Sequence, residues 1–136
     1  MNLGKIYDMD KAAFEDGTWV QIGNGISIKV RSPASAHSRA TRKKLEQPYA
    51  AMIRSGRDLP EDVAETLLIQ QMSQSLVMDW KGVTEGEGDA EKPVPATPDN
   101  IEAALRTYQF FRDDVGSVIA NRDTFKARAV ETDTKN

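Results

Sequence analysis

The chain has 136 residues, 18 Lys and Arg against 21 Asp and Glu, a net charge of -3 and 39% hydrophobic residues. It lacks cysteine and carries a single histidine, His37, which excludes a disulfide framework, a thiolate metal site, a cysteine nucleophile and any site built on two imidazoles. The acidic balance argues against a dedicated nucleic-acid binder, and no run approaches the roughly 18 consecutive apolar residues of a membrane span.

The expected organisation is an N-terminal arm over 1–16, one compact domain over 17–129 and a frayed polar tail over 130–136. The arm, MNLGKIYDMDKAAF, has no apolar core followed by a small-residue cleavage site, so no signal peptide is read. Lys11 to Phe14 suits a short helical turn. A β-hairpin is expected over 18–31. Val20 and Ile22 share one face of its first strand, and Ile26, Ile28 and Val30 share one face of the second. Gly23-Asn24-Gly25 supplies the positive φ of a tight loop. A lone hairpin is marginal in water, so its apolar face must lie on helices or join a further strand.

Helices are expected over about 33–55, 60–81, 98–112 and 114–128. The first opens with Ser32 as N-cap and Pro33 at the first helical position, carries Leu45, Tyr49 and Met52 as its buried stripe, kinks or splits at Pro48 and stops at Gly56. The second has Glu61 and Asp62 in its first turn, where the dipole favours acids, and Leu68, Met72, Leu76 and Trp80 recurring every four residues. Gly82 is its expected left-handed cap, with Val83 folding back onto Val77 or Met78. The Gly- and acid-rich stretch 84–97 reads as a mobile loop. Thr97-Pro98 opens the third helix, with Ile101, Ala104, Leu105, Tyr108 and Phe111 on one face; a break near Asp113 precedes the fourth, with Val115, Val118 and Ile119. The fold class is therefore α+β, mainly α-helical, with an N-terminal β-hairpin packed against about four helices.

No set of residues converges as a catalytic constellation. The pairs Asp8 and Asp10, Glu15 and Asp16, and Asp113 and Asp114 lack a partner nucleophile and read as helix caps, so catalytic residues, metal ligands and cofactors are all expected to be none. The basic run Arg39, Arg42, Lys43, Lys44, with Arg54 and Arg57 further on, reads either as a patch for a phosphate or an acidic partner or as a solvated helix face in which Glu46 pairs with Arg42. Asp79 falls in the expected last helical turn, where its charge is disfavoured and calls for a cation such as Lys81, while Trp80 either closes the core or forms an interface. Glu85 and Glu87 supply negative charge far along the chain from the basic run. These eight residues are the interaction candidates, and the two charge clusters suggest self-association into rings or spirals.

The run Asp79-Trp80-Lys81-Gly82-Val83-Thr84, followed by a Gly- and acid-rich loop and then Ala96-Thr97-Pro98-Asp99-Asn100-Ile101, resembles the tail assembly chaperones of long-tailed, siphovirus-like bacteriophages. The similarity spans about residues 17–125. The resemblance implies a non-enzymatic protein that binds the tape measure protein, keeps it soluble and recruits tail tube subunits. It implies action in the host bacterial cytoplasm and absence from the mature virion. Many such proteins are made in two forms by frameshifting, and this chain would be the short one. The alternatives are a structural tail or neck protein retained in the virion, and a small nucleic-acid-binding regulator using the basic helix.

Overall fold

The computed structural model describes residues 2–127. Two short helices open the chain: α1 (Leu3–Tyr7), capped by Asn2, and α2 (Lys11–Asp16), capped by Asp10, whose side chain accepts from the Ala13 amide. The turn expected at Lys11 is thus the first of α2. The hairpin follows as β1 (Thr18–Gly23) and β2 (Ile26–Val30), antiparallel, with Val20 opposite Ile28 and Thr18 opposite Val30. Its loop glycines Gly23 and Gly25 and the intervening Asn24 all have positive φ, as a tight loop requires.

The basic helix α3 (Ala36–Glu46) begins three residues later than the Ser32-Pro33 signal suggests. Ser32 forms its own turn, accepting from the Ala34 amide, and Ser35 is the true N-cap, accepting from Ser38. The Glu15 carboxylate also accepts from the Ala36 amide at 2.9 Å, which ties α2 to the start of α3. Pro48 breaks the helix as expected. A 3-10 turn over Gln47–Tyr49 leads into α4 (Ala50–Arg54), and Gly56 ends it with a positive φ.

The main departure from the sequence reading lies in 60–81. Helix α5 spans only Glu61–Gln71, widens into a π-turn over Met72–Leu76, and the chain then leaves as strand β3 (Val77–Lys81). The Ser73 and Ser75 hydroxyls donate back to the carbonyls of Gln70 and Gln71, offering the backbone an alternative to the regular ladder. β3 pairs antiparallel with β2, giving the order β1-β2-β3, with Ile28 opposite Trp80 and Lys29 opposite Asp79. The hairpin thereby gains the third strand it needs. Leu68, expected on the buried stripe, is 52% exposed. Gly82 does take a positive φ, but at the end of a strand and not as a helix cap.

Residues 84–97, expected to be an unstructured loop, contain a second small hairpin, β4 (Thr84–Glu85) with β5 (Lys92–Pro93). Helix α6 (Pro98–Thr107) starts where the sequence indicates, with Thr97 accepting from the Asn100 amide. The break before α7 (Gln109–Ala120) falls at Tyr108 instead of Asp113, and Tyr108 is exposed. α7 also stops well short of 128. Asn121 caps a 3-10 turn over Arg122–Phe125 that ends the described chain's regular structure. The expected end of this helix at 128 and the tail at 130–136 lie outside the described residues.

The inner face of the sheet contributes Ile28, Val30, Val77 and Trp80 to one core. It shares this core with Ile69, Met72 and Leu76 of α5 and its π-turn, Ile101 and Leu105 of α6, Val115 and Ile119 of α7, and Phe125. The fold is α+β and mainly helical, as the sequence indicates.

Candidate functional site

Pro48 positions the basic residues. The 3-10 turn at Pro48 carries one helical face on from α3 into α4, so that Arg54 lies along the same face as Arg39, Arg42 and Lys43. These four cations, with Glu46, Gln47, Ala50 and Ile53, line an open groove of about 510 Å³. Lys44 is exposed but does not line it. The ion pair expected between Arg42 and Glu46 does not form; the ion pairs among the described residues are Lys92–Glu85, Arg106–Glu102 and Arg112–Glu65. Arg39 and Lys43 stand one turn apart on α3, a like-charge i, i+4 pair that disfavours the helix unless an anion covers it.

Asp79 and Trp80 part company because they alternate on a strand. Asp79 faces out, and its carboxylate accepts from the Trp80 amide at 2.8 Å. The helix-end argument for a compensating cation therefore lapses. Lys81 instead sits over the Trp19 ring, 4.2 Å from its centroid, on the same outer face. Trp80 faces in and is only 6% exposed. Its indole meets Phe111 edge to face, with ring centroids 6.4 Å apart, so it closes the core.

Glu85 and Glu87 lie on the small hairpin. Glu85 pairs with Lys92 at 3.8 Å, and the Thr84 hydroxyl donates to the Glu91 carboxylate at 2.7 Å. Glu87, between Gly86 and Gly88 at positive φ, and Asp89 just after them carry the exposed tip. The structure thus gathers Arg39, Arg42 and Lys43 with Arg54, and leaves Glu85, Glu87, Asp79 and Trp80 on other elements.

Sequence reasoning missed a second concavity. Residues 8–10 pair antiparallel with 125–127: Met9 bridges Lys126, the Asp10 amide donates to the Phe125 carbonyl and the Ala127 amide donates to that of Asp8. An apolar groove of about 460 Å³ opens beside this seam, lined among others by Ile6, Tyr7, Met9, Phe14, Ile119 and Phe125. Phe14 and Phe125 meet edge to face at 6.3 Å, and the Arg122 guanidinium lies 5.9 Å from the Tyr7 ring centroid. Leu3, Ile6 and Tyr7, at i, i+3 and i+4 of α1, were the available signal, and all three are exposed. Phe110 at the start of α7 is 85% exposed, beside exposed Tyr108.

The family model described as YdaY prophage protein matches residues 34–136. The chain belongs to the YdaY prophage protein family. No curated protein and no solved structure matches it. The region shared with the YdaY family takes in the basic groove, β3, the acidic hairpin, α6 and α7; the arm and the first hairpin precede it. The expectation of a bacteriophage protein is met at this level.

Among the described residues, no three or more of His, Cys, Asp and Glu stand together as a metal-holding group. No helix there is long and apolar enough to cross a membrane.

Proposed function

We propose that this YdaY-family protein is a phage tail assembly chaperone. In this reading it works without catalysis, by protein–protein contacts. It binds the tape measure protein, keeps that protein soluble and brings tail tube subunits to it in the host cytoplasm. The observation that carries the reading is the open apolar groove of Ile6, Tyr7, Phe14 and Phe125. Tyr108 and Phe110 are a separate pair of exposed aromatics, outside the lining of that groove. An open apolar groove flanked by exposed apolar side chains is a common mark of a protein-binding face. The prophage family and the order of motifs around Asp79-Trp80-Lys81-Gly82-Val83 support the same reading.

The test is co-expression with the tape measure protein of the same prophage. A chaperone raises the soluble fraction of that protein and co-purifies with it, and Ile6→Ser with Tyr7→Ser weakens the complex. Purified virions should lack the chain. Its presence there at stoichiometric level would establish a structural tail or neck component instead. Tight DNA binding that falls steeply with salt would favour the regulator.

A further inference from the structure

Two charged features of the surface are complementary and are carried by different parts of the fold. The first is the basic groove. Arg39, Arg42, Lys43 and Arg54 line it against a single carboxylate, that of Glu46, and none of the described ion pairs neutralises them. At its side stands Ile53, 40% exposed. The second is the tip of the β4–β5 hairpin. There Glu85 and Glu91 are already engaged by Lys92 and Thr84, which leaves Glu87 and Asp89 as the outward charges, followed by exposed Ala90.

The hairpin is narrow. A Cβ on Gly86 would lie 2.5 Å from the Ala90 carbonyl oxygen, so the two arms run in close contact. It is also anchored at its base, where the Val94 amide donates to the Val83 carbonyl and the Trp80 indole to that of Val94. A firm, narrow, acidic projection and an open, basic concavity with one apolar side are matched in sign. No described ion pair joins them within one chain.

We propose that the acidic hairpin tip of one copy, through Glu87 and Asp89, docks in the Arg39–Arg42–Lys43–Arg54 groove of a second copy. The contact is heterologous, since each copy offers a different surface to its two neighbours. It therefore propagates into a ring or an open chain and does not close as a two-fold dimer. Exposed charges of this kind are screened within a Debye length of about 8 Å at physiological salt, so association is weak there and grows as salt is lowered. The inference does not depend on the tail-assembly reading.

Sedimentation velocity across a series of salt and protein concentrations tests it. The unmodified chain should form species larger than a dimer at low salt and high concentration, reverting toward monomer as salt rises. The pair Arg42→Glu with Lys43→Glu should abolish these species, and so should Glu87→Lys with Asp89→Lys. Both pairs alter exposed positions, and circular dichroism identical to the parent's verifies their folding. Mixing the two variants should restore association, because each then offers the charge the other lacks. A chain that is monomeric throughout overturns the proposal. So do oligomers that survive either reversal, or variants that fail to associate when mixed.

Discussion

The indole N–H of Trp80 donates to the carbonyl oxygen of Val94 at 2.7 Å, across fourteen positions of chain. This bond joins the buried end of β3 to the segment that returns from the acidic hairpin. A stretch with little apolar content of its own is thereby held against the core, on which Val94 and Ala96 pack.

Trp80→Ala should cost about 3–5 kcal/mol, the range for deleting a large buried aromatic. Trp80→Phe keeps most of the packing but leaves the Val94 carbonyl without its donor, which should cost about 1–3 kcal/mol. Urea denaturation of both variants separates the two contributions. A parental midpoint for Trp80→Phe would show that the hydrogen bond adds nothing to stability.

Gly82 and Gly116 should respond in opposite directions to alanine. Gly82 has φ +84, and a Cβ there would lie 2.1 Å from the Gly25 carbonyl oxygen, so β3 must pull away from the hairpin loop. A loss of about 1–3 kcal/mol is expected, the size of a strained backbone position. Gly116 lies within α7 with nothing near its absent Cβ, and alanine there should stabilise by about 0.5–1 kcal/mol. Thermal melts of the two variants should move to either side of the parent.

The two serine and threonine caps differ in burial, and this should show in their alanine variants. Thr97→Ala at the exposed start of α6 loses one cap, worth about 0.5–2 kcal/mol. Ser35→Ala loses a cap of the same kind and also its hydrogen bond to the Ser38 hydroxyl, made in a fully buried site. Denaturant midpoints should rank Ser35→Ala below Thr97→Ala; the reverse order would mean that the serine pair is not stabilising.

Phe110→Ser should leave stability within about 0.5 kcal/mol of the parent, as for surface positions away from packing. If Phe110 serves the proposed chaperone contact, the same change weakens binding to the tape measure protein by isothermal titration calorimetry. Unaltered affinity would remove Phe110 from that surface.

Local signals in the sequence marked most of the elements. The Gly23-Asn24-Gly25 loop, Pro48 and Thr97-Pro98 each act within a few residues, and each does in the structure what its chemistry dictates. The segment 72–81 was read wrongly because it satisfies two periods at once. Met72, Leu76 and Trp80 repeat every four residues, yet Asp79, Trp80 and Lys81 also alternate out, in, out. The open edge of β2 decided the matter, and only Ser73 and Ser75 hinted that the helix would give way. Three cations of the basic groove were legible because one helix carries them together. Arg54 was legible as a further cation down the chain, and its spacing continues the same helical face through the turn at Pro48. The apolar groove was hidden because its walls come from opposite ends of the described chain.

That pairing of Asp8, Met9 and Asp10 with residues 125–127 sets an order of events during translation. The first hairpin closes over a short loop and is able to form early. Residues 8–10 have no strand partner until Phe125 and Lys126 have been added and have left the ribosome, whereas Phe14 and Glu15 meet Ser32 and Ala36 much earlier. At about 5–20 residues per second, Asp8, Met9 and Asp10 wait on the order of ten seconds on the growing chain before that pairing is able to form. Closure of this seam is thus a late step of folding, since it needs both ends of the described chain.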